Sequence, residues 1–318
     1  GLSVGRWRLR EKRLFNRRAG VTSCAFSARA ATVAVGFSDG AFGLWSLPDF
    51  RCVHELSVSR VPVDAAAIGA GGEWLAFGCS KLGQLVVWEW ASESYVLRQQ
   101  GHPLDTNALA YAPSGQHLAT GGDDGKVKLW NTLSGFCFTT FSDHTAAVTA
   151  VTFSPNGTAV YTASLDGTVR AFDLRRYRNF RVLTSPEPRQ FSSVAVDPSG
   201  EIVCAGTVAH FEICVWSIQT GKLLDVLAGH EAPISCIAFS PVTAVLASGA
   251  WDKTVKVWDV FGRKPTHETY RHDGDVLAVA YRPDGKELCS STLNGDLQFW
   301  DPAEGLLTGT IEGRRDIA

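Results

Sequence analysis

Apolar and polar residues alternate along the chain in short runs, as in Ile234-Ser-Cys-Ile-Ala-Phe239 and Lys126-Val-Lys-Leu-Trp130. A period of two is the signature of a strand with one face toward a core. The runs recur in register. An aromatic residue ends one of them at Trp45, Trp88, Trp130, Phe172, Trp216, Trp258 and Trp300, with spacings of 43, 42, 42, 44, 42 and 42. Another apolar residue precedes each by 19 or 20 positions: Phe26, Ile68, Tyr111, Phe153, Val196, Phe239 and Tyr281. Turn chemistry separates the runs. Ala112-Pro-Ser-Gly115, Ser154-Pro-Asn-Gly157, Asp197-Pro-Ser-Gly200 and Arg282-Pro-Asp-Gly285 follow the first run of a unit. Pro presets the second turn position and Gly takes the left-handed exit. Ser38-Asp-Gly40, Asp123-Asp-Gly125, Leu165-Asp-Gly167 and Leu293-Asn-Gly295 stand between the second and third runs. A weaker run, such as Leu223-Leu-Asp-Val-Leu227, closes each unit.

Four strands per period of 40–45 residues predict an all-β, seven-bladed propeller. The repeat is expected over residues 21–311, behind an N-terminal arm or linker at 1–20 and ahead of the start of a linker at 312–318. Two segments compete as the outer strand of the last blade, Arg8 to Phe15 and Leu306 to Ile311. The second has the better apolar pattern and the matching place in the period.

Gly101-His102, Gly229-His230, Asp143-His144 and Arg271-His272 open units, and Trp130-Asn131 and Trp258-Asp259 end third strands. With these pairs the chain resembles the WD40-repeat family. The resemblance implies a buried hydrogen-bond chain of His, strand hydroxyl, turn Asp and Trp in each complete unit. His230, Ser248, Asp252 and Trp258 match all four positions, as do His102, Thr120, Asp124 and Trp130. His144, Thr162 and Asp166 lead to Phe172, which cannot donate; His272, Ser290, Asn294 and Trp300 exchange the carboxylate for an amide. The second unit has Leu82 and the fifth His210 at the Asp position, so packing is expected to hold those blades. Such His and Asp residues are structural. Histidines a blade or more apart cannot converge on one metal ion.

Three longer stretches are more specific: Gly83 to His102, Gly121 to Phe138 and Asp166 to Arg181. They resemble the periodic tryptophan family, over roughly Phe15 to Asp316, in the second of that family's two tandem propellers. The resemblance implies a non-catalytic scaffold of the U3 small nucleolar ribonucleoprotein, or small-subunit processome, supporting 18S rRNA processing in the nucleolus. The implied partners are other processome subunits, with U3 RNA and pre-rRNA contacted indirectly and no membrane, cofactor or small-molecule substrate. The rival readings are an unrelated WD40 adaptor, such as a ubiquitin-ligase substrate receptor, and an enzyme.

Composition narrows the field. The 318 residues are 45% hydrophobic and 19% charged, which excludes disorder. The longest uncharged run of interest, Ala232 to Trp251, is broken by Pro233 and Pro241 and reads as two strands and a turn. Met is absent and Gly comes first, so the chain is read as processed or part of a longer protein. The net charge of −2 is unevenly spread: residues 1–18 hold seven basic side chains against Glu11, while the remainder carries 23 basic and 31 acidic, a net −8. The arm is an RNA-binding segment or a solvated linker. Eight cysteines without a C-x-x-C pair read as small buried hydrophobes of a reducing compartment, Cys24 and Cys236 especially.

No catalytic constellation emerges. Gly121-Gly-Asp-Asp-Gly-Lys126 is one residue short of a phosphate loop, and Val127 replaces the required hydroxyl. Asn156-Gly-Thr158 has a glycosylation pattern but reads as a turn. Arg175, Arg176, Tyr177, Arg178 and Arg181, with Phe180 among them, form the most unusual surface segment. It is either a contact for RNA phosphates or an acidic partner, or a solvated loop anchored by Phe180. Trp251, at a turn tip, is either a partner anchor or, as preferred, packed against the next blade.

Overall fold

The computed structural model describes residues 19–27, 29–69, 72–79, 84–90, 94–261 and 268–312. Their 28 strands form seven four-stranded antiparallel sheets, each built from four consecutive strands in chain order. The fold is a seven-bladed β-propeller, with blades at residues 21–57, 65–100, 106–141, 148–183, 191–228, 234–271 and 276–311. The basic arm up to residue 18, the candidate strand Arg8 to Phe15, Leu82 and residues 313–318 lie outside the described residues. In the last blade Leu306–Ile311 is the outer strand, pairing Leu297 with Ile311 and Asp301 with Leu306.

The chain divides into two compact units at Val182 and Leu183, blades 1 to 4 before the division and 5 to 7 after it. In the first unit Phe42 stacks on Phe77 at 4.1 Å and meets Trp88 edge-on, joining blades 1 and 2. Phe141 of blade 3 stacks on Phe172 of blade 4 at 4.2 Å. In the second unit Trp258 packs with Ile213, Val215 and Leu246, and Trp300 stacks on Tyr270 at 4.4 Å. Period-two alternation explains this placement: a strand between two others can bury both faces, each against a neighbouring blade. Every residue of Ala159–Ser164 and Ile202–Thr207 is buried.

Side chains of the first strands also tie neighbouring blades at their backbones. Ser235 Oγ donates to the Val276 carbonyl at 2.7 Å, Ser23 Oγ to that of Val63 at 2.7 Å, and Ser192 Oγ to that of Ile234. Asn107 Nδ2 does the same for Val148 at 3.2 Å. Blades approach closely there. A Cβ on Gly249 would lie 2.6 Å from Val276, and one on Gly121 2.6 Å from Val148.

Backbone strain marks two turns. Five positions after the marker aromatic, Gly135, Gly221 and Gly305 have φ of 71°, 72° and 67°. In blade 4 that place belongs to Tyr177, at φ 49°. Between second and third strands, Gly125, Gly167 and Gly295 have φ of 70° to 84°, whereas blade 6 puts Lys253 there at 64°. A left-handed backbone costs a side-chain-bearing residue about 1–2 kcal/mol.

The cysteines divide. Cys79, Cys204 and Cys214 are buried, and burial pushes the Cys214 thiol up to about 11. Cys24 departs from its expected burial because its strand, Val21–Ser27, is largely open to solvent.

Candidate functional site

In blades 3 and 6 the hydrogen-bond chain runs through four side chains. His230 Nδ1 lies 2.7 Å from Asp252 Oδ2 and its Nε2 2.7 Å from Ser248 Oγ, to which Trp258 Nε1 donates at 2.7 Å. His102 Nδ1 is 2.8 Å from Asp124 Oδ1 and its Nε2 2.8 Å from Thr120 Oγ1, to which Trp130 Nε1 donates at 3.0 Å. One proton order links all four members without a charge on the ring. In it the indole donates to the hydroxyl, the hydroxyl to Nε2, and Nδ1–H to the carboxylate. Burial holds His102 below the ordinary histidine range, although Asp124 pulls the other way. Burial pushes the Asp252 carboxyl up, but bonds from His230, Thr254 and the Glu231 amide outweigh it and leave the carboxyl well below its ordinary range. With both ring nitrogens engaged, neither imidazole has one free for a substrate or metal, so these residues brace turns.

The two incomplete chains end differently. His144 bonds Asp166 and Thr162 at 2.8 Å each, and Phe172 meets the imidazole edge-on. In blade 7 His272 Nε2 is 2.6 Å from Ser290 Oγ, and Trp300 donates to that oxygen at 3.2 Å. His272 Nδ1, however, has no partner among the described residues. The Asn294 amide does not continue the chain as expected: the residue is exposed, and its side chain lies over Gly274. Blade 5 also departs from packing alone. His210 is exposed, but Arg189 is ion-paired with Glu212, and Trp216 Nε1 donates to the Thr184 carbonyl at 3.0 Å. Neither Arg189 nor Glu212 stands at a position the repeat marks.

The arginine segment is not a loop throughout. Arg178–Leu183 is the outer strand of blade 4, so Arg178 and Arg181 belong to a strand. Arg175, Arg176, Tyr177 and Arg178 are exposed; Arg181 is half-buried and donates to the Phe180 carbonyl at 3.1 Å. Asp173 Oδ1 accepts the amides of Arg175 at 2.7 Å and Arg176 at 3.2 Å, which fixes the turn. Those amide bonds hold the Asp173 carboxyl below its ordinary range. Arg175 and Phe180 line a cavity of about 310 Å³ with Asn156, Thr158 and Asp173. Tyr177 meets Phe138 of blade 3 edge-on at 5.8 Å, and Phe138 lies 5.2 Å from the His117 ring. Sequence reading missed this aromatic line. Its signal is the fifth position after the marker aromatic, where blade 4 carries Tyr177 and blade 1 Phe50 while blades 3, 5 and 7 carry Gly.

Trp251 is 54% exposed, which corrects its preferred placement against the next blade. Its amide donates to the Pro233 carbonyl at 3.1 Å, and the turn lifts the ring outward. Gly121 to Lys126 spans a strand end, a turn and no helix, so no phosphate loop forms. Asn156 Oδ1 accepts from Ser154 Oγ, the Thr158 amide and Thr158 Oγ1, and serves its turn. No group of three His, Cys, Asp or Glu side chains is placed to hold a metal among the described residues.

The family described as WD domain, G-beta repeat, matches residues 93–131, 135–173, 221–259 and 263–301. Those four segments contain the four histidine chains above. Periodic tryptophan protein 2 of Arabidopsis thaliana is 55% identical over 315 residues, covering 99% of this chain and 35% of that protein. The homolog of Mus musculus is 57% identical over 297 residues, covering 93% of this chain and 32% of its own. The protein of Saccharomyces cerevisiae is 50% identical over 312 residues, covering 98% and 34%. The chain thus spans about a third of the length of the relatives it matches. Seven four-stranded blades, buried His-hydroxyl-Trp chains and these matches place the chain in the WD40-repeat family, among sequences like periodic tryptophan protein 2.

Proposed function

We propose that the chain is a non-catalytic scaffold module of a ribosome-biogenesis protein, working in the U3 small nucleolar ribonucleoprotein and supporting 18S rRNA processing in the nucleolus. The observation that carries this reading is identity of 50–57% to periodic tryptophan protein 2 relatives over at least 93% of the chain. The role in that particle is what the family resemblance implies. Two features of the chain support the scaffold part. The buried histidines and turn aspartates of blades 3, 4 and 6 are consumed in bracing turns, and its exposed specific residues are arginines and aromatics, the types that anchor partners. Assembly runs mainly through other protein subunits. Residues 19–318 carry a net −8, and strong direct binding to a duplex would oppose that field.

The test is to isolate the full-length parent protein from nuclear extract and identify its associated RNA and protein. U3 RNA and small-subunit processing factors should co-purify, and depletion should leave 18S precursors uncut while large-subunit RNA matures. The 318-residue chain itself should bind naked U3 RNA weakly at physiological salt. Normal 18S RNA after depletion, or association with cullin-type ligases without small nucleolar RNA, would favour the adaptor reading.

A further inference from the structure

We infer that the line His117, Phe138 and Tyr177, flanked by Arg175, Arg176 and Arg178, is a docking site for an acidic protein segment carrying apolar side chains. The inference rests on the scaffold reading but not on the ribosomal one. Three observations carry it.

The first is strain retained at an exposed position. Tyr177 sits at φ 49° where blades 3, 5 and 7 place Gly135, Gly221 and Gly305; blade 1 places Phe50 there, also at 49°, but half-buried. Glycine would make the same turn without cost. Half of the tyrosine surface faces solvent, at 51% exposure, so core packing does not explain the residue. What the left-handed backbone does is set the phenol edge-on against Phe138, at 5.8 Å and 74°. Strain kept at an exposed position points to function.

The second is exposed apolar surface on the neighbouring blade. Phe138 is 39% exposed on the outer strand of blade 3, and Leu133 and Phe136, in the turn feeding that strand, are 68% and 64% exposed. Clustered exposed aromatics mark contact surfaces, whereas single ones do not.

The third is charge. Arg175, Arg176 and Arg178 have no ion pair among the described residues; Asp173, which attracts the first two, accepts their backbone amides on Oδ1. Three exposed guanidinium groups without an ion pair, in the segment that carries Tyr177, fit carboxylates interleaved with apolar side chains. The cavity beside Phe180 offers room for one such side chain. The alternatives fit less well. The rings meet at 55° and 74°, so they do not present the parallel faces on which successive bases stack. Strand addition at this edge is obstructed, because the Arg181 amide is already bonded to Asn179 Oδ1 at 3.1 Å.

The experiment titrates the 318-residue chain into fluorescein-labelled acidic peptides with Leu or Phe at alternate positions. Matched peptides with Gln and Asn for the acids, and a short single-stranded oligoribonucleotide, run alongside. Acidic peptides should bind in a salt-sensitive way, and the neutral set about tenfold or more weaker. Phe138→Ser should weaken binding about tenfold. Tyr177→Gly should weaken it similarly while raising the thermal midpoint by about 2 °C, which separates docking from damage to the fold. Arg175→Glu combined with Arg178→Glu should transfer preference to Lys-containing versions of the peptides. The inference is overturned if Tyr177→Gly leaves affinity unchanged, if neutral and acidic peptides bind alike, or if the oligoribonucleotide binds more tightly and shows the same variant losses. Any of these would leave the co-purification test above untouched.

Discussion

Asp252 and Asp124 occupy the same place in their blades, yet their removal should not cost the same. Both Asp252 oxygens are used: Oδ2 by His230 and the Glu231 amide, Oδ1 by the amide and hydroxyl of Thr254. Asp124 takes His102 and the Lys126 amide on Oδ1 alone, and its Oδ2 has no partner among the described residues. Asp252→Ala should therefore lower stability by about 3–5 kcal/mol, Asp124→Ala by less, and the exposed Asn294→Ala by under about 0.5 kcal/mol. Denaturant midpoints at constant slope order the three, and equal shifts would refute the ranking. Protons act on the same residues. Burial lowers His102, His144 and His272 below the ordinary histidine value. Burial raises Asp166 and Asp252, but hydrogen bonds outweigh it and leave both lowered. Each group binds its proton more weakly folded than unfolded, so the unfolded chain gains protons as pH falls. Stability should be complete above about pH 6.5, decline as the imidazoles are forced to charge, and drop further below about pH 4. Melting temperatures that stay level down to pH 4 would contradict this.

Among the elements, the turns carry the clearest differences between blades. Lys253 is exposed and holds φ 64° where four other blades use Gly. Lys253→Gly should relieve about 1–2 kcal/mol of strain and lose about 0.5–1 kcal/mol to unfolded-state freedom, a small net gain. A lower midpoint for that variant would mean that the lysine side chain has a structural duty. How much of this was legible in advance follows from what a repeat can encode. The strands and their order were readable because Trp130, Trp258 and their equivalents recur with period-two runs and Pro-Gly turns. The complete histidine chains were readable because their members fall at constant intervals. The unpartnered Nδ1 of His272 was not, because an amide and a carboxylate fill one place in a pattern and differ only in where the side chain comes to rest. Nor was the Arg189–Glu212 pair, which belongs to one blade and obeys no period. The Phe138–Tyr177 contact joins two blades, and spacing within a unit carries no information about which exposed rings meet.

At the scale of the whole molecule, charge and packing act over different ranges. The negative body governs what approaches from a distance, within a Debye length of about 8 Å at physiological salt, while contact chemistry decides what stays. The same separation applies inside. The histidine chains are local, their bonds spanning 10 to 22 residues and bracing the turns of one blade. The hydroxyls of Ser23, Ser192 and Ser235 reach 40 to 42 residues ahead, each to the start of the next blade. In a repeat architecture, stability within a unit and coupling between units are independent quantities. The serine bonds belong to the second. Ser235→Ala should leave the denaturant midpoint nearly in place while reducing the slope of the transition, as blades 6 and 7 begin to melt apart. Amide exchange should then report separate opening energies for residues 234–271 and 276–311, where the intact chain gives one. A hydroxyl worth little as a bond would thus set how many strands unfold as a single event.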